Sequence, residues 1–143
     1  MYILDTDHLS LIQRNGIEGK LILKRLAVIE EVEVAVTVIT YEEQIKGRLA
    51  VLSKAKTLDE QVSAYQWLQQ LATDYSCITI IPFDRTSAIE HQRLRKVYPR
   101  LGNMDLKIAA IALTNKAILL TRNESDFRQI VELQIEDWSK VIE

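Results

Sequence analysis

The spacing of apolar residues changes along the chain, and each change marks an element. Tyr2-Ile-Leu reads as a short buried strand that runs into a carboxylate at Asp5. Asp7 stands at a helix N-cap position, which predicts a helix through Arg14 that Asn15-Gly16 breaks. A second helix is expected from about Glu18 to Glu30. Val32, Val34, Val36 and Val38 alternate and predict a second strand, after which Thr40 caps a helix with Ile45, Leu49 and Leu52 on one face. Thr57-Leu-Asp-Glu60 fits a capping box, and Leu58, Val62, Tyr65, Leu68, Ala72 and Tyr75 share one face of the helix behind it. Cys77–Ile81 is β-branched and ends at Pro82, a third strand. Helices follow over Thr86–Tyr98, which stops before Pro99, and over Asn103–Asn115. Ala117–Thr121 predicts a fourth strand, then come a short helix near Asp126–Ile130 and a fifth strand near Leu133–Glu136.

Strands that alternate with helices predict an α/β fold. The expectation is a central parallel sheet of about five strands, right-handed crossovers and about seven flanking helices. In such a sheet every strand sends its carboxyl end to one edge, where open α/β sheets place their chemistry. Asp5 ends the first strand, Glu43 follows the second, and Asp126 lies just past the fourth. Asp105 begins the helix that leads into the fourth strand. It reaches the same edge only if the loop 99–102 returns there.

Composition narrows the class without choosing a function. The 143 residues are 48% hydrophobic and 27% charged, which predicts one soluble domain over 1–143. A net charge of −2 gives no global attraction for nucleic acid or anionic lipid, so any such contact needs a local patch. The single Cys77 excludes an internal disulfide and a Cys-rich zinc site, and His8 and His91 lack metal-ligand spacing. No apolar run approaches a membrane span and no basic leader opens the chain. A cytoplasmic protein with no membrane partner is expected.

The acids have two explanations. Near helix N-termini, Asp7, Glu42, Glu43, Asp105 and Asp126 would complement the macrodipole and cap free N–H groups. Asp5 escapes that account because it ends a strand. Together, carboxylates at one edge repel each other unless a cation neutralises them, and oxygen ligands without His or Cys suit Mg²⁺ or Mn²⁺. That arrangement suits attack of metal-activated water on a phosphodiester.

Four stretches resemble the PIN-domain ribonucleases, and within them the VapC-type toxins of bacterial toxin–antitoxin pairs. They are Tyr2-Ile-Leu-Asp-Thr-Asp-His-Leu-Ser10, Ile39-Thr-Tyr-Glu-Glu-Gln-Ile-Lys-Gly47, Gly102-Asn-Met-Asp-Leu-Lys-Ile-Ala-Ala-Ile-Ala-Leu113 and Leu120-Thr-Arg-Asn-Glu-Ser-Asp-Phe127. The second motif's spacing selects Glu43 over Glu42. This chain departs from the family pattern at Asp7, where Asn is common, and at Glu42, where a smaller residue is. The resemblance implies that Asp5, Glu43, Asp105 and Asp126 are the catalytic carboxylates. Asp5 and Asp105 would be direct metal ligands, with Glu43 and Asp126 binding directly or through water. It further implies Mg²⁺- or Mn²⁺-dependent endonuclease action on RNA without a covalent enzyme intermediate, a cognate antitoxin and a homodimer.

Supporting roles are more open. Thr6, Thr121 and Asn123 are placed to hydrogen-bond the carboxylates. Arg93, Arg95, Lys96 and Arg100 would either complement a helix C-terminus or track RNA phosphates, and Arg122 is a further candidate for RNA. Lys46, Arg48 and Lys107 fit a phosphate contact and a solvated helix face equally well, while His8 reads as a helix-start residue and Cys77 as core. Asp5-Thr-Asp7 also matches the opening of haloacid-dehalogenase-like phosphatases, where Asp5 would be the nucleophile. His8-Leu9-Ser10 does not continue that pattern. A non-catalytic RNA-binding PIN domain is the other alternative, against which stand all four acids.

Overall fold

The computed structural model describes residues 1–30 and 33–141. Along the chain run β1 (Tyr2–Leu4), α1 (Thr6–Arg14), α2 (Ile17–Leu26), β2 (Val34–Thr37), α3 (Val38–Lys54) and α4 (Leu58–Tyr75). These are followed by β3 (Ile80–Ile81), α5 (Arg85–Val97), α6 (Asn103–Thr114), β4 (Ile118–Leu120), α7 (Glu124–Phe127) and β5 (Ile135–Glu136). The expected α/β architecture is present: the strands pair in parallel in the order β3-β2-β1-β4-β5. The chain works outward from β1 to β3, then returns to β1's other side for β4. The order therefore reverses between β1 and β4, and a crevice opens at their carboxyl ends.

Alternate residues of each strand feed two cores. Ile3, Ala35 and Leu119 point into one with α5, α6 and α7, whereas Leu4, Val36 and Leu120 point into the other with Leu9, Leu11, Ile22 and Trp138. α6 buries Leu106 and the run Ile108–Ala112 and is apolar nearly all round, as a helix packed on several sides must be. α1 and α2 cross so closely that a Cβ on Gly19 would lie 2.2 Å from the Leu11 carbonyl oxygen. No side chain larger than hydrogen fits there without separating the helices.

Several expectations shift. Asp5, not Asp7, caps α1 and accepts the His8 N–H at 2.8 Å. Thr37, not Thr40, caps α3, so that helix starts three residues early. In both cases the first polar residue at the strand's carboxyl end satisfies a free N–H of the helix, which ends the strand sooner than its apolar pattern suggests. α2 stops at Leu26, β3 keeps only Ile80–Ile81, and Val32 lies outside the described residues. Cys77 is exposed rather than core, because the chain joins the sheet only after it.

The largest correction concerns α3 and α4. The predicted stripe on α4 is real as a helical face, yet Leu58, Tyr65 and Val62 (56% exposed) face solvent while Ala64 and Leu71 are buried. On α3 the covered side carries Thr40, Gln44 and Arg48, and Leu49 is exposed. Gln44 bonds Ser10, Gln13 and Tyr75, and Arg48 lies over the Trp67 ring at 4.5 Å and donates to the Trp67 carbonyl at 2.7 Å. Periodicity says which residues share a face. It does not say which face the rest of the chain covers. Thr57 caps α4 as expected, accepting the Glu60 N–H at 3.0 Å, while the Glu60 carboxylate accepts from the Thr57 hydroxyl and the Lys56 N–H instead of the Thr57 N–H of a full capping box.

Candidate metal centre

The crevice between β1 and β4 is where the acids gather. Asp5 follows Leu4 directly, and its N–H donates to the Leu120 carbonyl of β4 at 3.0 Å. Its carboxylate is thus fixed by a strand pair on one side and by the α1 cap on the other. Burial raises the Asp5 carboxyl to about 6, against hydrogen bonds from the Thr121 hydroxyl and the His8 N–H; the nearby charges of Asp7 and Asp105 raise it further.

Asp105 lies in the first turn of α6 and is half-buried. Its carboxyl is also pushed up, by burial first and then by the charges of Glu43 and Asp126. The loop 99–102 therefore does return to the edge. Asp105, the acid that topology placed least firmly, is the one that senses charge from both Glu43 and Asp126 and that Asp5 senses in turn.

Each of the outer two acids is held by one side chain, Glu43 from across the fold and Asp126 from its own turn. Glu43 accepts from the Thr6 hydroxyl at 2.7 Å, and Thr40 lies 3.0 Å from the same oxygen of Thr6. Thr6 has one proton and gives it to Glu43, so Thr40 donates to Thr6. Because α3 begins at Val38, Glu43 lies beyond the first turn, and a helix-dipole explanation does not apply to it. Asp126 accepts from the Asn123 amide at 3.1 Å, and the Asn123 N–H donates to Thr121 at 2.9 Å.

The donors are all carboxylate oxygens, and two carboxyls are raised by burial and mutual repulsion. A hard divalent cation would relieve both effects, so the residues fit such an ion. The four acids do not close into a group as tight as 4.8 Å. Among the described residues the group of that size is Asp5, Asp7 and His8. Asp7 is already engaged, accepting from Arg122 at 2.6 and 2.9 Å.

The cations divide. Arg122 clamps Asp7, Arg93 pairs with Glu90 and lies 3.7 Å from Glu132, and Lys46 pairs with Glu42 at 2.9 Å. Arg48, expected on a solvated face or a phosphate, is 4% exposed and belongs to the α3–α4 contact. Arg95, Lys96 and Arg100 are exposed, and none is in an ion pair among the described residues. Two contacts had no signal in the chain: the Asp7–Arg122 pair, separated by 115 residues, and the approach of His8 to Trp138, separated by 130.

Comparison with known proteins adds to this geometry. The PIN domain model matches residues 2–133. Ribonuclease VapC1 of Haemophilus influenzae (strain R2866) is 27% identical over 146 residues, covering 98% of this chain and 99% of that protein. Among solved structures, VapBC-1 from nontypeable Haemophilus influenzae contains a chain 25% identical to this one. It superposes with a TM-score of 0.75 and covers 97% of this chain and 98% of that one. VapBC2 from Rickettsia felis, bound to a DNA fragment from its promoter, contains a chain 27% identical, with a TM-score of 0.75 over 96% and 98% of the two chains.

Proposed function

The chain belongs to the PIN-domain family, and from that membership we propose that it is a divalent-metal-dependent endoribonuclease, the toxin of a toxin–antitoxin pair. The observation that carries the reading is the electrostatic state of Asp5. It is a buried carboxyl raised to about 6, fixed by hydrogen bonds at the crevice and facing Asp105. A charge so placed, with no Lys or Arg in an ion pair with it among the described residues, supports a cation as its counterpart.

Asp5 and Asp105 would hold Mg²⁺ or Mn²⁺ directly, and Glu43 and Asp126 directly or through water. Once bound, the ion would supply Lewis acidity toward a phosphodiester and make water acidic enough to attack it. The chain's own groups set the arrangement. Thr6 orients Glu43, Asn123 orients Asp126, and Thr121 hydrogen-bonds Asp5. Arg95, Lys96 and Arg100 lie at the end of α5 and in the loop that leads to Asp105, and their free positive charge suits RNA phosphates beside an acidic edge. Arg93 and Arg122 would contribute to RNA only by leaving their acidic partners.

The proposed protein partners are a cognate antitoxin and a second copy of the chain. Exposed Leu49, Val51, Val62 and Tyr65 are surface of the kind a protein partner covers. No helix among the described residues is long and apolar enough to cross a membrane, and the proposed setting is the cytoplasm.

The test is cleavage of RNA with Mg²⁺ or Mn²⁺ against EDTA, comparing wild type with Asp5→Asn and Asp105→Asn. EDTA is expected to abolish cutting, and both variants are expected to slow it strongly. Wild-type rates in both variants would overturn the assignment of the site.

A further inference from the structure

His8 stands behind Asp5 and is completely buried. Its Nε2 accepts the backbone N–H of Trp138 at 3.2 Å. Asp137 Oδ1 also lies 3.7 Å from Nε2, but the Trp138 bond occupies the Nε2 lone pair, so the proton of the neutral ring resides on Nδ1. Nδ1 is the buried side-chain polar atom without a hydrogen-bond partner among the described residues, and it lies 3.6 Å from Asp5 Oδ1. The same oxygen accepts the His8 backbone N–H at 2.8 Å. Buried N–H groups are rarely left without an acceptor, and the oxygen that Nδ1 faces is Asp5 Oδ1.

This tautomer decides between two roles. Asp5, Asp7 and His8 offer ligand atoms within 4.8 Å of one another, which would suit a mixed nitrogen and oxygen metal site. A protonated Nδ1 has no lone pair to give a metal, and Asp7 is held by Arg122. The ring can donate toward Asp5, and it cannot ligate from that side.

We propose that His8 is a positioning residue for Asp5: the Trp138 amide fixes its tautomer, and its Nδ1–H, directed at Asp5 Oδ1 across 3.6 Å, adds to the His8 backbone N–H bond in turning that oxygen inward, so that the carboxylate presents its other oxygen to the cation. The segment after β5 thereby becomes part of the metal site's support. The role rests on the metal reading of Asp5 given above. Groups that orient metal ligands in this way typically change metal affinity by about 10–100-fold when removed.

Three substitutions in the full-length chain separate the role from mere packing. His8→Asn keeps a donor where Nδ1 stands, His8→Gln moves the donor to the Nε2 side, and His8→Leu has none. Mn²⁺ affinity, measured by calorimetry without RNA, should fall by about tenfold or more in His8→Leu and His8→Gln and be largely restored in His8→Asn. Thermal unfolding in EDTA identifies any variant that is not folded. Long-range ¹H–¹⁵N spectra of the wild type should show the His8 proton on Nδ1, a readout that needs no variant. A proton on Nε2, wild-type affinity in His8→Leu, or rescue by Gln as full as by Asn would overturn the proposal. Asp5→Asn separates the two readings. If it also binds Mn²⁺ at wild-type strength, the metal site fails and His8 with it; if it loses Mn²⁺ while His8→Leu does not, the His8 role alone fails.

Discussion

The deep centre and the shallow flanks of the carboxylate edge are built by different means. At the centre, around Asp5, everything is buried and held by distant parts of the chain: β4 through the Leu120 carbonyl, Thr121, and the segment around Trp138 behind His8. Glu43 and Asp126, on the β2 and β4 flanks, are half-buried, and each is held by a single side-chain contact, from Thr6 and Asn123 respectively. A buried carboxylate is costly to ionise, so its geometry must be over-determined to survive. A half-buried one is solvated and can be set by one donor. The deep centre is therefore suited to gripping a cation, the shallow flanks to adjusting water and substrate around it.

The strongest way to break this contrast is to remove charge at centre and flank in turn. Asp5→Asn should lower RNA cleavage by about 10²–10³-fold, as loss of a preorganised electrostatic group does, while Asp126→Asn should cost about tenfold. Equal losses in single-turnover assays would show that depth does not matter.

Next in size is a pH effect confined to the deep centre. The folded protein holds the Asp5 proton up to about 6, against 3.8 for the free side chain. Between those values the folded state binds more protons than the unfolded one, so stability falls as pH rises from about 4 to about 6. For Asp5 alone the drop is about 3 kcal/mol. Urea unfolding in EDTA should show this slope in wild type, weaker in Asp5→Asn. Mn²⁺ at saturating concentration should offset the loss above pH 6.

How legible this was depended on where the information resides. The order of strands and helices, the parallel sheet and the arrival of Asp5, Glu43 and Asp126 at one edge follow from periodicity and topology, which are local. α6 was read nearly to its end residues because an all-apolar helix has only one kind of place to go. On α3 and α4 the shared apolar face was legible but its cover was not: Leu49, Leu58, Val62 and Tyr65 are exposed while Tyr75 packs on the core, and nothing local says which part is covered. The position of Asp105 depended on a loop, and the motif resemblance anticipated what spacing left open. The pairing of His8 with Trp138 was invisible, since a hydrogen bond to a backbone N–H across 130 residues leaves no mark on either residue's identity.

A smaller perturbation sharpens the shallow flanks. Thr6→Val removes the donor to Glu43 and leaves the buried Thr40 hydroxyl without its acceptor. Cleavage should fall by about tenfold and stability by about 1 kcal/mol, with Thr6→Ser close to wild type in both. A change in stability alone would mean that Thr6 packs the α1–α3 contact and does not set Glu43.

The smallest expected effect belongs to the Asp7–Arg122 pair. Both side chains are about 40% exposed (42% for Arg122, 40% for Asp7), so a double-mutant cycle with Asp7→Asn and Arg122→Gln should give a stability coupling below about 1 kcal/mol. The same four proteins report on RNA. Arg122 cannot hold Asp7 and a phosphate with the same nitrogens, so Asp7→Asn should free the guanidinium and tighten RNA binding by less than about fivefold at low salt. Arg122→Gln should loosen binding by a similar factor and make the salt slope shallower by about one. If Arg122→Gln leaves the salt slope unchanged in both backgrounds, Arg122 is only a clamp between α1 and the turn after β4. Recognition of RNA would then fall to Arg95, Lys96 and Arg100, on the Asp105 side of the crevice.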